Sequence, residues 1–289
     1  MTRNDDRIGA SPQTETPAIP ATTSENTNNS PVGLNFVIPT EFVEIPSRGK
    51  YYGEGHPLHN QDTVEIRHMT AKEEDILTSR SLLKKGIALD RLVDNVLVDK
   101  SIKAADMFVG DKNAILLMSR ILAYGPEYNT NVTCPSCFAQ TRYDFNLMEY
   151  KTTHPEETEN PEFTITPNNT FKITLPRTKV EVEAKLLKGS DEQYLARINE
   201  RKRKAKTTSD SIILEQMETF IASVNGISDK NTIKKFVETM PAQDSRYLRR
   251  IYATTVPNID LTQHFECDEC GAEIDMEVPF TTDFFWPKQ

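Results

Sequence analysis

Two short cysteine loops constrain this chain more than any other feature of its sequence. The first runs Cys134-Pro135-Ser136-Cys137 and the second runs Cys267-Asp268-Glu269-Cys270, and the sequence holds no further cysteine. A gap of two residues lets both sulfurs of one loop turn toward the same small ion. Two such loops supply the four thiolates of a tetrahedral structural Zn²⁺ site. We therefore predict one zinc ion bound by Cys134, Cys137, Cys267 and Cys270.

Residues 138–266 separate the two loops. If one ion joins both loops, the chain leaves the site and returns to it close to its C-terminus. The metal would then act as a clasp between distant segments. Two disulfides are the alternative interpretation of the four cysteines, and the expected reducing compartment disfavours it.

Composition limits the compartment and the partners. No apolar run approaches the ~20 residues of a membrane span, and no basic-then-apolar leader opens the chain. We expect a protein of the cytoplasm of its producing cell, without membrane contact. The net charge of −9 disfavours general attraction to nucleic acid or to anionic lipid, although local basic patches are compatible with such binding.

The predicted fold is α+β, mostly helical, with short antiparallel strands and a zinc-ribbon-like unit formed by the two distant cysteine loops. Residues 1–33 are rich in Thr, Asn, Ser and Pro and are predicted to be a disordered tail. Residues 34–147 should hold N-terminal strands, a helical region and the first ribbon half. Residues 148–256 should form an inserted α+β domain, and residues 257–289 the second ribbon half with an aromatic end.

Local patterns predict particular elements. A capping box at Thr70 and Glu73 opens a helix, and apolar periodicity predicts further helices over about 88–98, 111–124 and 190–206. A helix is also predicted over about 211–224, followed by a helix pair, 228–240 and 242–254, that is interrupted at Pro241. Short strands over about 163–186 predict a small antiparallel sheet.

The two cysteine loops differ in one respect. The residue after the second cysteine commonly adopts a positive φ, which favours glycine. Gly271 meets this requirement in the second loop, whereas Phe138 occupies the same place in the first. We expect the first loop to be slightly strained or differently shaped.

Several other residues invite a functional interpretation. His56 and His59 have a spacing that a metal could use, but a surface loop is favoured, and His264 is interpreted as a neighbour of the thiolates. The basic run 201–206 fits a solvated helix end better than a nucleic-acid contact, because no aromatic residues interleave with its charges. Arg246, Arg249 and Arg250 fit either an acidic partner or a salt-bridged surface. The terminal stretch 284–287 needs a core slot or a partner groove.

No catalytic pattern stands out. The sequence lacks a glycine-rich phosphate loop, a Gly-x-Ser-x-Gly elbow and a His-Glu-x-x-His helix, and a zinc ion with four cysteine ligands has no open position for a substrate. We expect no enzymatic activity and no small-molecule substrate. A nucleic-acid-binding zinc ribbon is the stronger alternative, but acidic residues surround Cys267.

Several strings resemble the baseplate hub subunit family of T-even-type contractile-tailed bacteriophages, from about residue 34 onward. They are residues 45–52 (IPSRGKYY), 66–77 (IRHMTAKEEDIL), 111–114 (DKNA), 134–137 (CPSC) and 257–262 (PNIDLT). The resemblance implies a non-enzymatic virion or assembly protein that contacts other hub and tail proteins in the tail baseplate and is assembled in the host cytoplasm. An assembly chaperone absent from the finished virion is an open alternative. The zinc prediction rests on cysteine spacing alone.

Overall fold

A computed structural model describes residues 37–84, 86–155, 162–204, 212–279 and 284–285. The chain divides into two compact units, Met1–Pro39 and Thr40–Gln289. In the first unit only residues 37–39 are described, and they lie in neither helix nor strand. The predicted disordered tail, 1–33, lies outside the described residues. Every element below belongs to the second unit.

The first half of this unit pairs two strands and then adds four helices and the first cysteine hairpin. Its elements are β1 (Thr40–Glu44), β2 (Thr63–Arg67), α1 (Ala71–Thr78), α2 (Arg80–Lys84), α3 (Ala88–Val96), α4 (Val109–Tyr124), β3 (Glu127–Thr133) and β4 (Gln140–Asn146). β1 pairs antiparallel with β2, and β3 pairs antiparallel with β4.

The second half contains a small sheet, four helices and the second cysteine hairpin. Its elements are β5 (Lys151–Thr153), β6 (Phe163–Ile165), β7 (Phe171–Thr174), β8 (Glu181–Ala184), α5 (Gly189–Lys204), α6 (Ile212–Phe220), β9 (Ile221–Val224), α7 (Lys230–Thr239), α8 (Ala242–Thr255), β10 (Asn258–Asp260), β11 (Thr262–Glu266) and β12 (Glu273–Glu277). Strands β6, β7, β8 and β9 form one antiparallel sheet in that order. The predicted α+β class and the predicted small sheet are confirmed.

Helix α4 lies at the centre of the packing. Ile115 and Leu117 on this helix are buried in the same hydrophobic core as Leu92 of α3. The N-terminal end of α4 approaches β10 so closely that Gly110 has no room for a side chain: an added Cβ would lie 2.0 Å from the carbonyl oxygen of Pro257. Only glycine allows this contact between helix and strand.

Polar groups fix the start of α1. The carboxylate of Glu73 accepts hydrogen bonds from the backbone N–H of Thr70 at 2.9 Å and from its hydroxyl at 2.7 Å. Arg67, at the end of β2, donates to the same carboxylate at 2.7 and 3.0 Å. The predicted capping role of Glu73 thus extends to an ion pair that joins strand to helix.

One predicted helix is shorter than expected. Apolar spacing predicted a helix over about 211–224, but α6 ends at Phe220 and the chain continues as β9. Val224 pairs with Val182 of β8, and Ile221 pairs with Ala184. Buried β-branched residues suit a strand, and the open edge of β8 offers hydrogen bonds that a further helical turn would leave unused.

The segment that begins the predicted insertion also contributes to the fold. Residues 151–153, near the start of the predicted insertion, form β5, which pairs antiparallel with β10, where Ile259 lies opposite Thr152. His154, directly after β5, contacts the carbonyl oxygen of Pro46 through Nδ1 at 3.1 Å. The interpretation of residues 148–256 as an inserted domain stays a prediction.

The described residues of the aromatic C-terminal stretch pack into the hydrophobic core. Phe284 and Phe285 are buried, and the ring of Phe284 meets Tyr128 edge-on at 5.3 Å. The buried guanidinium of Arg120 donates to the carbonyl oxygen of Phe284. Residues 286–287 of the predicted aromatic terminus lie outside the described residues.

Candidate metal centre

Two hairpins carry the cysteine loops in the same register. In the first, Thr133 at the end of β3 lies opposite Gln140 at the start of β4. In the second, Glu266 of β11 lies opposite Glu273 of β12. Residues 134–139 and 267–272 therefore connect their strands in the same way, with a Cys-x-x-Cys sequence at the start of each connection.

Matching backbone hydrogen bonds close both connections. The N–H of Cys134 donates to the carbonyl oxygen of Ala139 at 2.9 Å, and the N–H of Cys267 donates to that of Ala272 at 3.0 Å. The strand ladder thus continues one step beyond each hairpin's last pair. Each loop is consequently held by backbone hydrogen bonds to the hairpin that carries it.

The residue after the second cysteine has a positive φ in both loops. Gly271 has φ of 64° and Phe138 has φ of 61°. Each donates its N–H to the carbonyl oxygen of the first cysteine of its loop, Cys267 or Cys134, at 2.8 Å. The two loops have the same shape, so the sequence difference appears as backbone strain at Phe138 and not as a different fold.

The four sulfur atoms meet between the hairpins. The Sγ atoms of Cys134 and Cys270 lie 3.9 Å apart, and those of Cys137 and Cys267 lie 3.8 Å apart. All four sulfurs lie within 4.8 Å of one another, and the four cysteines are free thiols in the structure. A zinc ion with four sulfurs at about 2.3 Å gives sulfur–sulfur distances of about 3.8 Å. The cluster can therefore hold one metal ion of this kind.

The four cysteine side chains differ in their exposure to solvent. Cys134 and Cys267, the first cysteine of each loop, are buried, whereas Cys137 and Cys270 are exposed. The inner pair is thus protected by the hairpins, and the outer pair lies at the surface. Such a site has an access path for an ion from solvent.

Backbone N–H groups favour a thiolate at Cys134. Donation from the N–H of Cys137, with a further contribution from that of Ser136, lowers the pKa of the Cys134 thiol to about 7. At the Cys137 thiol, the N–H of Ala139 lowers the pKa. Contacts with the other three thiols, first that of Cys270, together with burial outweigh this effect and raise the pKa of Cys137 to about 12. Four thiols this close cannot all ionise without a cation to offset their charge.

Side-chain contacts hold the two hairpins together independently of the sulfurs. The hydroxyl of Tyr143 donates to the carbonyl oxygen of His264 at 3.0 Å, and its ring meets Phe265 edge-on at 5.0 Å. Gln263 accepts from the N–H of Asn146 at 3.2 Å and donates to its carbonyl oxygen at 2.7 Å. These positioning residues were not singled out from the sequence, although the strand alternation that places Tyr143 and Phe145 on one face was visible.

The candidate histidines do not belong to the cysteine cluster. His264 has an exposed side chain on β11 and does not belong to the group of potential ligands. His59 contacts the carbonyl oxygen of Tyr52 through Nδ1 at 2.6 Å, and the ring of His56 stacks on that of Tyr52 at 4.2 Å. His56 and His59 therefore help to shape the loop that contains Tyr52.

Three of the candidate basic residues, Lys202, Lys204 and Arg250, have acidic partners. Lys202 pairs with Glu215 of α6, and Lys204 pairs with Glu200 one helical turn earlier. Arg250 of α8 pairs with Glu162 at 2.8 Å. Arg246 and Arg249 have exposed side chains. Residues 205–206 of the basic run lie outside the described residues.

The charged residues of the second hairpin are all acidic. Its residues 262–277 contain no Lys or Arg. Its acidic residues are all exposed, and they are Glu266, Asp268, Glu269, Glu273, Asp275 and Glu277. This surface repels phosphate groups.

None of the helices in the described ranges is both long and apolar enough to cross a bilayer.

Comparison with known proteins identifies the family. No curated protein and no solved structure matches the chain. The model of the family described as "T4 bacteriophage base plate protein" matches residues 38–286, which include both cysteine hairpins and everything between them. The chain therefore belongs to the family of T4 bacteriophage base plate proteins.

Proposed function

We propose that this chain is a non-enzymatic structural subunit of the baseplate hub, where it joins hub and tail proteins through protein–protein contacts. The observation that carries this proposal is the family match over residues 38–286. The cytoplasm of the infected host is then the place of assembly, and the tail baseplate of the virion is the final location.

The zinc clasp is the second part of the proposal. One Zn²⁺ ion is held by Cys134, Cys137, Cys267 and Cys270, and it ties the hairpin β3–β4 to the hairpin β11–β12. Sulfur distances of 3.8 and 3.9 Å support zinc, because they match the edge of a tetrahedral four-sulfur site. Four thiolates leave no open coordination position, so the ion's role is structural.

The charge of the second hairpin favours proteins over nucleic acid as partners. Six exposed carboxylates and no Lys or Arg lie in residues 262–277. In nucleic-acid-binding proteins, Lys and Arg contacts to phosphate supply much of the affinity. Strong DNA binding with a steep salt dependence would overturn this part of the proposal.

Fractionation of infected cells tests the baseplate role. The chain is quantified by mass spectrometry in purified mature tails and in baseplate assembly intermediates. We expect a fixed ratio to other tail proteins in both fractions. Presence in intermediates and absence from mature tails would show an assembly chaperone instead, and absence from both would overturn the baseplate role.

Metal analysis tests the clasp. Elemental analysis with thiol titration should give one zinc ion per chain, and Cys134→Ser and Cys267→Ser should each lose it, since the two loops share one ion. Ser136→Ala is the matched control, because it changes the same loop but keeps the N–H that donates to Cys134 Sγ at 3.4 Å. Full metal content in either cysteine variant would overturn the shared site.

A further inference from the structure

We infer that the tip of the first cysteine loop is a docking point, where Phe138 inserts into an apolar socket bordered by Lys or Arg on another baseplate protein. This inference rests on the proposed baseplate function and deepens it by naming the chemistry of the partner. It depends on three features of the paired hairpins: the exposure of Phe138, the conformation of its backbone and the charge around it.

The side chain of Phe138 does not serve the core of its own chain. It is 77% exposed, more than any other large hydrophobic side chain in the described part of the protein. A single exposed aromatic ring of this size loses the free energy that burial would supply. In protein interfaces, aromatic side chains of this kind are common anchors.

The backbone at Phe138 gives no reason for a phenylalanine either. Gly271 fills the same place in the second loop with nearly the same φ and the same hydrogen bond, and a positive φ disfavours every residue with a Cβ. Glycine would build this loop at least as well. The internal repeat thus provides a comparison within one molecule: the phenylalanine serves neither the loop nor the core.

The surroundings of Phe138 define the charge of the partner. The contact between Cys137 Sγ and Cys267 Sγ at 3.8 Å joins the two loop tips, so Phe138 belongs to the same end of the molecule as exposed Asp268 and Glu269. Like charges across an interface are costly, and complementary charges guide docking. The socket that receives Phe138 is therefore bordered by basic side chains.

A groove between the hairpins adds apolar surface to this end. It is an open depression of about 530 Å³, lined by the apolar side chains of Val132, Pro135, Ile274 and Met276 and by the acidic Asp275 and Glu277. Pro135 belongs to the same loop as Phe138. The groove therefore offers further apolar and acidic surface next to the loop of Phe138, as the proposed docking surface requires.

Incorporation of variants into tails tests the inference. In infections where a variant replaces the normal chain, we expect Phe138→Gly to lower the amount of chain per purified tail roughly tenfold or more, as loss of an interface anchor does. Ile165→Thr, which alters another exposed apolar side chain, should incorporate normally. Asp275→Lys should also lower incorporation, and Glu41→Lys, a charge reversal at exposed Glu41 on β1, should not.

Folding defects are separated from docking defects by the choice of variant. Glycine suits the backbone of residue 138, so Phe138→Gly should keep its zinc and should not lower its melting temperature. A photo-crosslinking phenylalanine analogue at position 138 then identifies the partner, and we expect crosslinks to an apolar peptide next to Lys or Arg in a baseplate protein.

The outcomes distinguish the docking surface from the baseplate role. Normal incorporation of Phe138→Gly, or crosslinks from position 138 only to this chain or to an acidic peptide, would overturn the docking surface and leave the baseplate role intact. Absence of the unmodified chain from tails and intermediates would overturn both.

Discussion

The carboxylate of Asp111, at the start of α4, accepts hydrogen bonds from both the backbone N–H of Ser47 at 2.8 Å and the hydroxyl of Ser47 at 2.6 Å. Tyr52 donates to the same carboxylate at 2.7 Å. Burial raises the pKa of the Asp111 carboxyl, and the hydrogen bonds from Ser47 and Tyr52 act in the opposite direction. This network attaches the turn before Tyr51 to the central helix.

Removal of one hydroxyl should show the strength of this network. Tyr52 also accepts from the N–H of Phe108 at 2.9 Å, so Tyr52→Phe leaves one buried donor unsatisfied and Asp111 with one donor fewer. We expect a loss of about 2–3 kcal/mol in the free energy of unfolding, measured by chemical denaturation. Tyr124→Phe is the control, since Tyr124 donates to Glu74 at the surface, and should cost less than about 1 kcal/mol. Equal losses would contradict the interpretation.

The ion pair between Arg67 and Glu73 should make stability depend on pH. Burial by itself raises the pKa of the Glu73 carboxyl, but hydrogen bonds from Arg67 and Thr70 outweigh it and lower the pKa from 4.5 to about 2. Since the folded pKa lies below the unfolded one, the stabilisation is fully present above pH 4.5. It is lost as the pH falls toward 2, and it amounts to at most about 3 kcal/mol.

A double-mutant cycle isolates this pair from the protonation of the cysteine cluster. The cycle combines Arg67→Met with Glu73→Gln, and the coupling energy is measured by urea denaturation between pH 2 and pH 7. We expect the coupling to be constant above pH 5 and to decline below pH 4.5. A coupling that does not change with pH would contradict the assignment.

Gly110 should not tolerate a side chain. A Cβ at this position would lie 2.0 Å from the carbonyl oxygen of Pro257, and neither backbone can move without separating α4 from β10. We expect Gly110→Ala to lower the free energy of unfolding by about 3 kcal/mol or more. Gly55→Ala, where nothing lies within 4 Å of the added Cβ, should change it by less than about 0.5 kcal/mol. Thermal denaturation of both variants checks the contrast.

Reciprocal substitutions in the two cysteine loops should differ in their effect on stability, and only the one in the second loop should be destabilising. Phe138→Gly removes a left-handed phenylalanine and should leave the stability of the zinc-loaded protein unchanged or raise it by up to about 1 kcal/mol. Gly271→Phe introduces the same strain and should cost about 1–2 kcal/mol. Guanidinium denaturation of both variants measures this difference. A destabilising Phe138→Gly would show that the ring contributes to the fold.

Short-range patterns predicted several elements well. The helix pair that is interrupted at Pro241 appears as α7 and α8, because proline limits both its own φ and the conformation of the residue before it. The positive φ at Phe138 and Gly271 was also predictable, since the geometry of a cysteine loop is decided within a few residues.

Strand pairings between segments that are distant in sequence could not be predicted from these local patterns. Strand β9 follows directly after α6 because the edge of β8 is available, and nothing in residues 221–224 alone indicates that edge. The pairing of β5 with β10 likewise joins segments that are far apart in the chain. Strand pairing depends on which edges meet, and many registers are locally equivalent.

The sequence by itself determined the four cysteines, their spacing and the resemblance to baseplate proteins, because these depend on residue identity and local geometry. Only the tertiary structure decided that the sulfurs of Cys134 and Cys270 lie 3.9 Å apart and that Phe138 is exposed. Both facts depend on how two distant hairpins pack, through contacts such as Tyr143 with Phe265. Packing of this kind sums many weak interactions between residues far apart in the chain, and no local pattern encodes it.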